Sequence, residues 1–356
     1  MARATERTGW TAEELLSLQH SCEAHSVLDQ VTVVKRQGSC EMTSLHSLLT
    51  ELQRSEIKPA LADTATYTSQ FSECYRQHVC AGKPEDTSGK LLYYPFGGVD
   101  VVSAVALSPA CVVFAGSEEF GTTAQALSHD LNKLLSSGSP YMLKGMGATM
   151  FDSHDDFQCL HEELGLGGVG AMALLRLVVS LRLVVRSVSF FELTEEGDII
   201  FASPREQQGP CQHAVVSVQM GPDPAPHLCQ LWFLNHNTRM ADGRVDAFCE
   251  RMRPDVLLVK AAPDSLWQPD DVSVYSRCVS RSLQPAARSD CIVITDSCQA
   301  NPALPPRIFK EVPESVAFAA VRPREPSEGC YDVFGYGERL FWSNGANLIG
   351  HEALGA

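Results

Sequence analysis

Hydrophobic residues recur at helical spacing near the start of the chain. Thr11 and Glu14 have the spacing of a capping box, and the leucines of "ELLSL" follow at once. A second amphipathic run, "LHSLLTELQRSEIK", also has helical periodicity. We therefore predict a mostly helical N-terminal region over residues 1–88, which ends in the linker-like stretch "AGKPEDTSGK".

From residue 89 onward the pattern changes to short apolar runs rich in β-branched residues. They are "KLLYYPF", "ACVVFAG", "VRSVSFFEL", "DIIFASP", "HAVVSVQM", "LCQLWFLN", "DVLLVKAA" and "DCIVITD". Runs of this kind, separated by helical stretches, are typical of an α/β sheet. The short "TEEGD" between the third and fourth runs predicts a hairpin. The predicted fold is Rossmann-like over residues 89–356, with a mixed, mostly parallel sheet and an antiparallel hairpin portion.

Helices are expected at "AMALLRLVVSL", "GRVDAFCERM" and "DVSVYSRCVSRSL". The first belongs to the apolar run from Val169 to Val185, which Arg176 and Arg182 interrupt. Two arginines make this run a poor membrane span, so a buried helix is the better interpretation. Near the end of the chain, "DVFGYGERLFWSNG" predicts a pair of strands that closes the sheet.

The segment "YYPFGGVDVVSAVALSPACVVFAGSEEFG" combines a strand, a glycine turn, a helix, a second strand and two acids. Gly97 and Gly98 follow the first strand, where glycine lets the backbone approach a ligand. Glu118 and Glu119 follow the second strand, where an acid commonly binds ribose hydroxyls, and Asp100 lies in the first helical turn. A nucleoside-containing cofactor would fit this order. A tight turn followed by a solvated strand end would fit it as well.

This order of elements resembles the architecture of the class I methyltransferases, which bind S-adenosylmethionine. Their glycine loop is normally of the kind G-x-G-x-G, whereas this chain has adjacent Gly97 and Gly98. The resemblance implies S-adenosylmethionine as the candidate cofactor and a transferase as the candidate enzyme.

A second resemblance covers residues 90–350. The stretches "YYPFGGVD", "VVFAGSEEFG", "LLVKAA", "VITDS" and "YGERLFW" are similar to an uncharacterised bacterial family in which strands of the kind YPF-x-G-x-D and LKAASYL recur. The chain departs from that family at "APDSLW" and "TDSCQANP". The resemblance implies the fold and marks Tyr94, Pro95, Phe96, Gly98, Asp100, Lys260, Asp296 and Ser297.

Lys260 and Asp296 are the candidate catalytic residues. Each lies at the end of an apolar run, "DVLLVK" and "CIVITD", where sites on parallel sheets usually occur. A lysine beside a carboxylate could transfer protons or bind an anion. An ion pair at the sheet edge is the alternative interpretation.

The stretch "GLGGVG", Gly165 to Gly170, matches the G-x-G-x-x-G pattern of dinucleotide sites. That pattern also needs a strand directly upstream, and "HDDFQCLHEEL" has the character of a helix. We therefore expect these glycines to end one helix and begin the next. A strand directly before Gly165 would favour a further hypothesis, an NAD-dependent oxidoreductase.

Charge and cysteine usage limit the partners and the compartment. The chain has 28 Lys+Arg against 43 Asp+Glu, a formal net charge of −15, which makes nucleic acid an unexpected partner. Its 13 cysteines include no C-x-x-C pair, which favours a reducing, cytoplasmic environment in which most of them act as small buried apolar residues. Neither a signal peptide nor a membrane span is expected.

Other chemistry has weak support in the sequence. The groups "FDSHDDF" and "HSCEAH" supply too few ligands for a convincing metal site, and the chain contains no G-x-S-x-G, H-E-x-x-H or Walker A motif. Two main hypotheses stay open. The protein is an S-adenosylmethionine-dependent transferase acting on a small molecule, or it is a non-catalytic interaction or assembly protein that binds a protein partner.

Overall fold

The structure is a computed structural model that describes part of the chain. The described ranges are 9–54, 89–94, 101, 104–105, 110–116, 120, 123–137, 165–202, 213–220, 227–235, 243–259, 292–296, 318–322, 331–332, 341–342 and 347–350.

The separately described residues Val101, Ala104 and Val105 are helical. Six further helices have described bounds. They are α1 (Ala12–Ser17), α2 (Gln19–Ala24), α3 (Leu45–Arg54), α4 (Ala124–Ser137), α5 (Gly170–Leu175) and α6 (Gly243–Arg251), and a π-helical turn at Arg176–Ser180 continues α5. The predicted capping box begins α1, where the Thr11 hydroxyl accepts the backbone N–H of Glu14 at 3.2 Å and the Glu14 carboxylate accepts that of Thr11 at 2.9 Å. The helices predicted at α1, α3, α5 and α6 are confirmed. The helix predicted at "DVSVYSRCVSRSL" lies outside the described residues.

The described strands are β1 (Val31–Arg36), β2 (Ser39–Ser44), β3 (Leu91–Tyr94), β4 (Cys111–Gly116), β5 (Val184–Leu193), β6 (Ile199–Phe201), β7 (His213–Met220), β8 (His227–Asn235), β9 (Val256–Val259), β10 (Ile292–Asp296), β11 (Phe318–Arg322), β12 (Tyr331–Asp332), β13 (Phe341–Trp342) and β14 (Asn347–Gly350). All eight predicted strands are present. Each of these eight strands is a short apolar run bounded by turn-forming residues.

Ten of these strands form one mixed sheet in the order β14-β11-β10-β9-β3-β4-β8-β7-β5-β6. The strands from β11 to β8 in this order pair in parallel, and the remaining pairs are antiparallel. The prediction of a parallel centre with an antiparallel portion is therefore confirmed, and so is the hairpin between β5 and β6. The predicted C-terminal strand pair is present as β12 and β13, but it forms a separate two-stranded sheet. The prediction that it closes the main sheet is therefore wrong, because β14 pairs with β11 at that edge instead.

The N-terminal region contains a hairpin that the helical prediction missed. Strands β1 and β2 pair antiparallel around Gln37 and Gly38, whose φ angles are 46° and 87°. Positive φ at both central residues is the signature of a two-residue hairpin turn, and the β-branched run Val31–Val34 favours a strand. The prediction of a mostly helical segment is therefore wrong for Val31–Ser44, although the division of the chain near residue 88 stays a prediction.

The N-terminal helices pack directly against the main sheet. Helices α1 and α2 contact β4, β5, β7 and β8. Helices α3, α4 and α5 contact one another, and α3 and α4 also contact the β1–β2 hairpin. Side chains from these helices and from the sheet belong to one continuous hydrophobic core. Because alternate residues of a strand point to opposite faces, Gln230 and Trp232 face α2, and Phe233 faces the other side. No helix within the described ranges is long and apolar enough to cross a membrane.

Candidate functional site

The carboxyl ends of the parallel strands define one edge of the main sheet. Strands β3, β4, β8, β9 and β10 run in the same direction, so their last residues lie along that edge. Those residues are Tyr94, Gly116, Asn235, Val259 and Asp296. Strand β3 pairs with β4 on one side and with β9 on the other. After β3, the chain therefore forms β4 on one side of β3 and later adds β9 on its other side. A crevice commonly forms where the strand order reverses in this way.

The predicted site residues follow these strand ends along the chain. Gly97, Gly98 and Asp100 come shortly after β3, and Glu118 and Glu119 come two and three residues after the end of β4. These five residues lie outside the described residues. Their contacts with a cofactor stay predictions.

The two candidate catalytic residues belong to adjacent strands. Lys260 directly follows β9 and lies outside the described residues. Asp296 is the last residue of β10, and its backbone is described but its side chain is not. Because β9 and β10 pair in parallel, with Thr295 beside Val259, the two strands end at neighbouring positions of the edge. Proton transfer between Lys260 and Asp296 stays a prediction.

A layer of aromatic rings lies below this edge. Tyr94 packs edge-on against Phe114 with ring centroids 5.4 Å apart, and Phe114 stacks on Phe233 at 4.8 Å. Phe120 extends the layer, with its ring centroid 4.5 Å from that of Phe233 and 6.5 Å from that of Phe190. All five side chains are at least 96% buried. Rings packed in this way make the ends of β3, β4 and β8 a rigid platform.

The glycine-rich loop Gly165–Gly170 lies beside this layer. The Gly170 N–H donates to the Phe120 carbonyl at 2.7 Å, and α5 begins at Gly170. A Cβ atom at Gly170 would lie 2.1 Å from the Phe120 carbonyl oxygen, so only glycine allows this approach. The expectation that the loop begins a helix is confirmed. The residues just before Gly165 lie outside the described ranges, so the helix expected there, and the strand that an NAD site would need, stay predictions.

A carboxylate already binds one amide of this loop. Asp130 of α4 is 4% exposed, and its Oδ2 accepts the Gly167 N–H at 2.8 Å. Lys133, one turn further along α4, approaches the other carboxylate oxygen at 3.7 Å and donates to the Gly165 carbonyl at 2.6 Å. Since a phosphate at Gly167 would have to displace a negative group, this arrangement counts against dinucleotide binding by the loop.

Burial raises the pKa of Asp130 above its ordinary value of 3.8, and the Gly167 N–H, Lys133 and His129 oppose that rise. A raised pKa means that the folded protein binds more protons than the unfolded chain between the two values. The free energy of unfolding contributed by this group is therefore greatest at low pH and falls as pH rises through the folded pKa.

We expect Asp130→Asn to raise the free energy of unfolding at pH 7 modestly, by less than about 1 kcal/mol, because it removes a buried charge and keeps an acceptor for Gly167. The advantage of the variant should shrink as pH is lowered from 7 toward 4. Urea unfolding of wild type and Asp130→Asn across this pH range measures the difference in their free energies of unfolding. A variant clearly less stable than wild type at pH 7 would show that the ion pair with Lys133 outweighs the cost of burial.

A buried polar network on the opposite face of the sheet was not predicted. Gln230 of β8 donates to Gln19 at 2.9 Å, Ser217 of β7 donates to the same oxygen at 3.1 Å, and Trp232 donates to Gln230 at 3.2 Å. Burial raises the pKa of the neighbouring Cys22 thiol to about 12. A thiol of this kind is unreactive, so the network fastens α2 to the sheet rather than forming a nucleophilic site.

His213 is another residue that the sequence analysis did not select. It begins β7 at the carboxyl edge, is 2% exposed, and its Nδ1 accepts the Asn235 N–H at 3.1 Å. A backbone N–H only donates, so Nδ1 is the acceptor in this contact. The apolar sequence around His213 does not predict its contact with Asn235.

Among the described residues, no group of three or more His, Cys, Asp or Glu side chains could hold a metal ion. The cluster "FDSHDDF" lies outside those residues. Cys22, Cys111 and Cys229 are buried free thiols, as expected of small apolar residues, whereas Cys40 is exposed.

No protein family, characterised protein or solved structure matches this chain. The geometry of the sheet edge is therefore the basis for any functional proposal.

Proposed function

We propose that the protein has a Rossmann-like domain that binds S-adenosylmethionine at the crevice between β3 and β9 and acts as a transferase on a small molecule. The observation that carries this proposal is the order of the parallel strands. Numbered by their occurrence in the chain, they lie in the order third, second, first, fourth, fifth, sixth, as β8-β4-β3-β9-β10-β11. This order is typical of doubly wound nucleotide-binding sheets, whose ligands bind where the strand order reverses, here between β3 and β9.

The residues after β3 and β4 would supply the cofactor contacts. Gly97 and Gly98 would let the backbone approach the cofactor, Asp100 would orient it, and Glu118 or Glu119 would accept hydrogen bonds from its ribose. Glu118 is two residues beyond Gly116, so chain geometry keeps its Cα within about 7 Å of the end of β4. Because β3 and β4 are adjacent, these groups can reach one ligand.

The residues after β9 and β10 would lie on the other side of the same ligand. Lys260 and Asp296 would bind an anionic part of the acceptor substrate or move a proton from it. Group transfer depends mainly on holding two reactants in line, so this proposal requires no catalytic triad.

Thermal unfolding with S-adenosylmethionine, S-adenosylhomocysteine or NAD tests the proposal. A ligand that binds only the folded protein raises the midpoint by mass action, and we expect a rise with both adenosyl compounds that disappears in Glu118→Ala/Glu119→Ala. Glu195→Ala/Glu196→Ala is the matched control. It removes two adjacent exposed carboxylates at the β5–β6 turn, three strands and about 14 Å from β4, and should leave the rise intact.

Other outcomes would contradict the transferase proposal. A rise with NAD alone would favour an oxidoreductase. No rise with any of the three compounds would favour the interaction protein, whose supporting observation is the exposed apolar face of the β1–β2 hairpin. On that face Val31, Val33 and Met42 are 60%, 48% and 78% exposed.

A further inference from the structure

We propose that Ser39, at the tip of the β1–β2 hairpin, is a phosphorylation site for a kinase that selects serines preceded by basic residues. The phosphoryl donor is ATP, and the phosphate on Ser39 would take Arg36 from its present partner on α3. This inference concerns the surface of the N-terminal region and does not depend on the proposed cofactor site.

The Ser39 side chain is accessible. It is exposed and follows the two-residue turn of Gln37 and Gly38. Its hydroxyl donates to the Arg36 carbonyl at 2.9 Å and to the Glu41 carboxylate at 3.3 Å, and both contacts are exposed. The hairpin pairs with no third strand among the described residues, and a two-stranded hairpin has little stability of its own. The turn can therefore open locally and extend into a kinase.

Two basic residues precede Ser39. Arg36 lies three residues before it, and the exposed Lys35 lies four residues before it. Arginine-directed kinases discriminate among serines by such a pattern of charge, because carboxylates on the kinase pair with it. The Arg36 guanidinium at present pairs with Glu51, whose side chain is 48% exposed. An ion pair at the surface contributes little stability, so a kinase can displace it.

Ser17 is a matched comparison within the same chain. It is also exposed, and its hydroxyl also donates to a carbonyl three residues earlier, that of Glu14. At the two positions where Ser39 has basic residues, however, Ser17 has Glu13 and Glu14. Ser189 provides the opposite comparison, because it has an arginine three residues before it but is fully buried. Exposure and basic charge coincide at Ser39 and are separated at the other two serines.

The modification adds one phosphoryl group. The Ser39 oxygen attacks the γ-phosphorus of ATP, the bond from that phosphorus to the β-phosphate oxygen breaks, and ADP leaves. The hydroxyl proton passes to the catalytic base of the kinase. The product carries about −1.5 to −2 charges at neutral pH, together with three acceptor oxygens.

That phosphate would lie beside Arg36. Ser39 and Arg36 are directly paired across the two strands, so their side chains lie on the same face with Cβ atoms about 5 Å apart. Arg36 connects the hairpin to α3 and α4, because its guanidinium donates to Glu51 and to Asn132 at 2.7 Å each. A phosphate carries more charge than one carboxylate, so we expect Arg36 to leave Glu51 for it. Phosphorylation would then loosen the hairpin from α3.

Incubation of the full chain with a purified arginine-directed kinase, Mg²⁺ and ATP tests the site, and mass spectrometry locates the phosphate. We expect Ser39 to be modified, and Ser17 and Ser189 to stay unmodified. Arg36→Gln should lower the initial rate at Ser39 by about tenfold or more, the effect of losing a hydrogen bond between charged groups. Loss of Arg36 also loosens the hairpin, so a purely structural effect of this substitution would raise the rate.

Three results would overturn the proposed site. The first is the absence of phosphate on Ser39 in the wild-type protein. The second is a rate at Ser39 that Arg36→Gln leaves unchanged or increases. The third is modification of Ser17 as fast as that of Ser39, since exposure alone would then determine where the phosphate is added.

Hydrogen exchange of the peptide covering residues 31–44 measures the consequence for the hairpin. Glu51→Gln should speed exchange about twofold to fivefold in the unmodified protein, because it removes a partner of Arg36. In the protein phosphorylated on Ser39 the same substitution should have no effect, because Arg36 has already left Glu51. Ser39→Ala treated with the same kinase is the control and should respond to Glu51→Gln as the unmodified protein does. An equal effect of Glu51→Gln in both forms would show that the phosphate does not take Arg36, and the proposed consequence would be wrong.

Discussion

Replacing Trp232 by alanine is expected to lower the free energy of unfolding by about 3–5 kcal/mol. The indole is fully buried, lies edge-on against Phe191 with ring centroids 5.2 Å apart, and donates to Gln230 at 3.2 Å. Its removal leaves a large cavity at the centre of the β4–β8–β7 layer and deprives a buried amide oxygen of its donor. Urea unfolding followed by circular dichroism measures the loss.

Met42→Ala is the control for this prediction. Met42 is 78% exposed on the β1–β2 hairpin, so its truncation should change the free energy of unfolding by less than about 0.5 kcal/mol. If Trp232→Ala lowers the free energy of unfolding no more than Met42→Ala does, the N-terminal helices do not cover this face of the sheet in solution. Such a result would also contradict the continuous core that joins α1 and α2 to the strands.

Local patterns were sufficient to predict eight of the ten strands of the main sheet, but β11 and β14 were not predicted. Runs such as "HAVVSVQM" and "LCQLWFLN" are β-branched or aromatic, end at turn-forming residues, and became β7 and β8 almost to the residue. The hairpin of β1 and β2 was missed because neighbouring helical periodicity dominated the interpretation of the first 88 residues. Its signal was present in Val31–Val34 and in the turn at Gln37 and Gly38.

The order of the strands could not be read from the sequence. Strand β4 is followed by about 70 residues before β5, and β8 then lies beside β4 although three strands separate the two in the chain. Connections of this length leave the pairing open, because the energy of a long-range strand pair depends on the whole sheet and not on local residues. The reversal of strand order between β3 and β9 depends on these long-range pairings.

The tertiary contacts of polar residues could not be predicted from the sequence either. Gln230 and Ser217 occupy strand positions that a sequence pattern assigns to solvent, yet both are fully buried because Gln19 of α2 binds them. The glycines at 165–170 matched a ligand motif, whereas Gly170 contacts Phe120 and Gly167 binds Asp130. A motif records which backbone positions need space, but not whether a ligand or the protein itself fills that space.

The second large effect is expected at Gly197, in the turn between β5 and β6. Its φ angle is 75°, and an added Cβ would lie 2.4 Å from the Phe248 backbone nitrogen. Gly197→Ala therefore combines a left-handed backbone, costing about 1–2 kcal/mol, with a clash against rigid backbone, costing about 1–3 kcal/mol. We expect the free energy of unfolding to fall by about 3 kcal/mol, measured by urea unfolding.

Gly38→Ala separates the two causes of this loss. Gly38 also has a positive φ, 87°, but an added Cβ would meet nothing within 4 Å, so only the backbone cost of about 1 kcal/mol should appear. The difference between the variants then measures how tightly the β5–β6 turn packs on α6. That packing also holds the N-terminus, since Trp10 donates to the Gly197 carbonyl at 3.2 Å and stacks on Phe248 at 5.7 Å. Equal losses in the two variants would mean that this turn moves away from α6 at little cost and that the N-terminal contact moves with it.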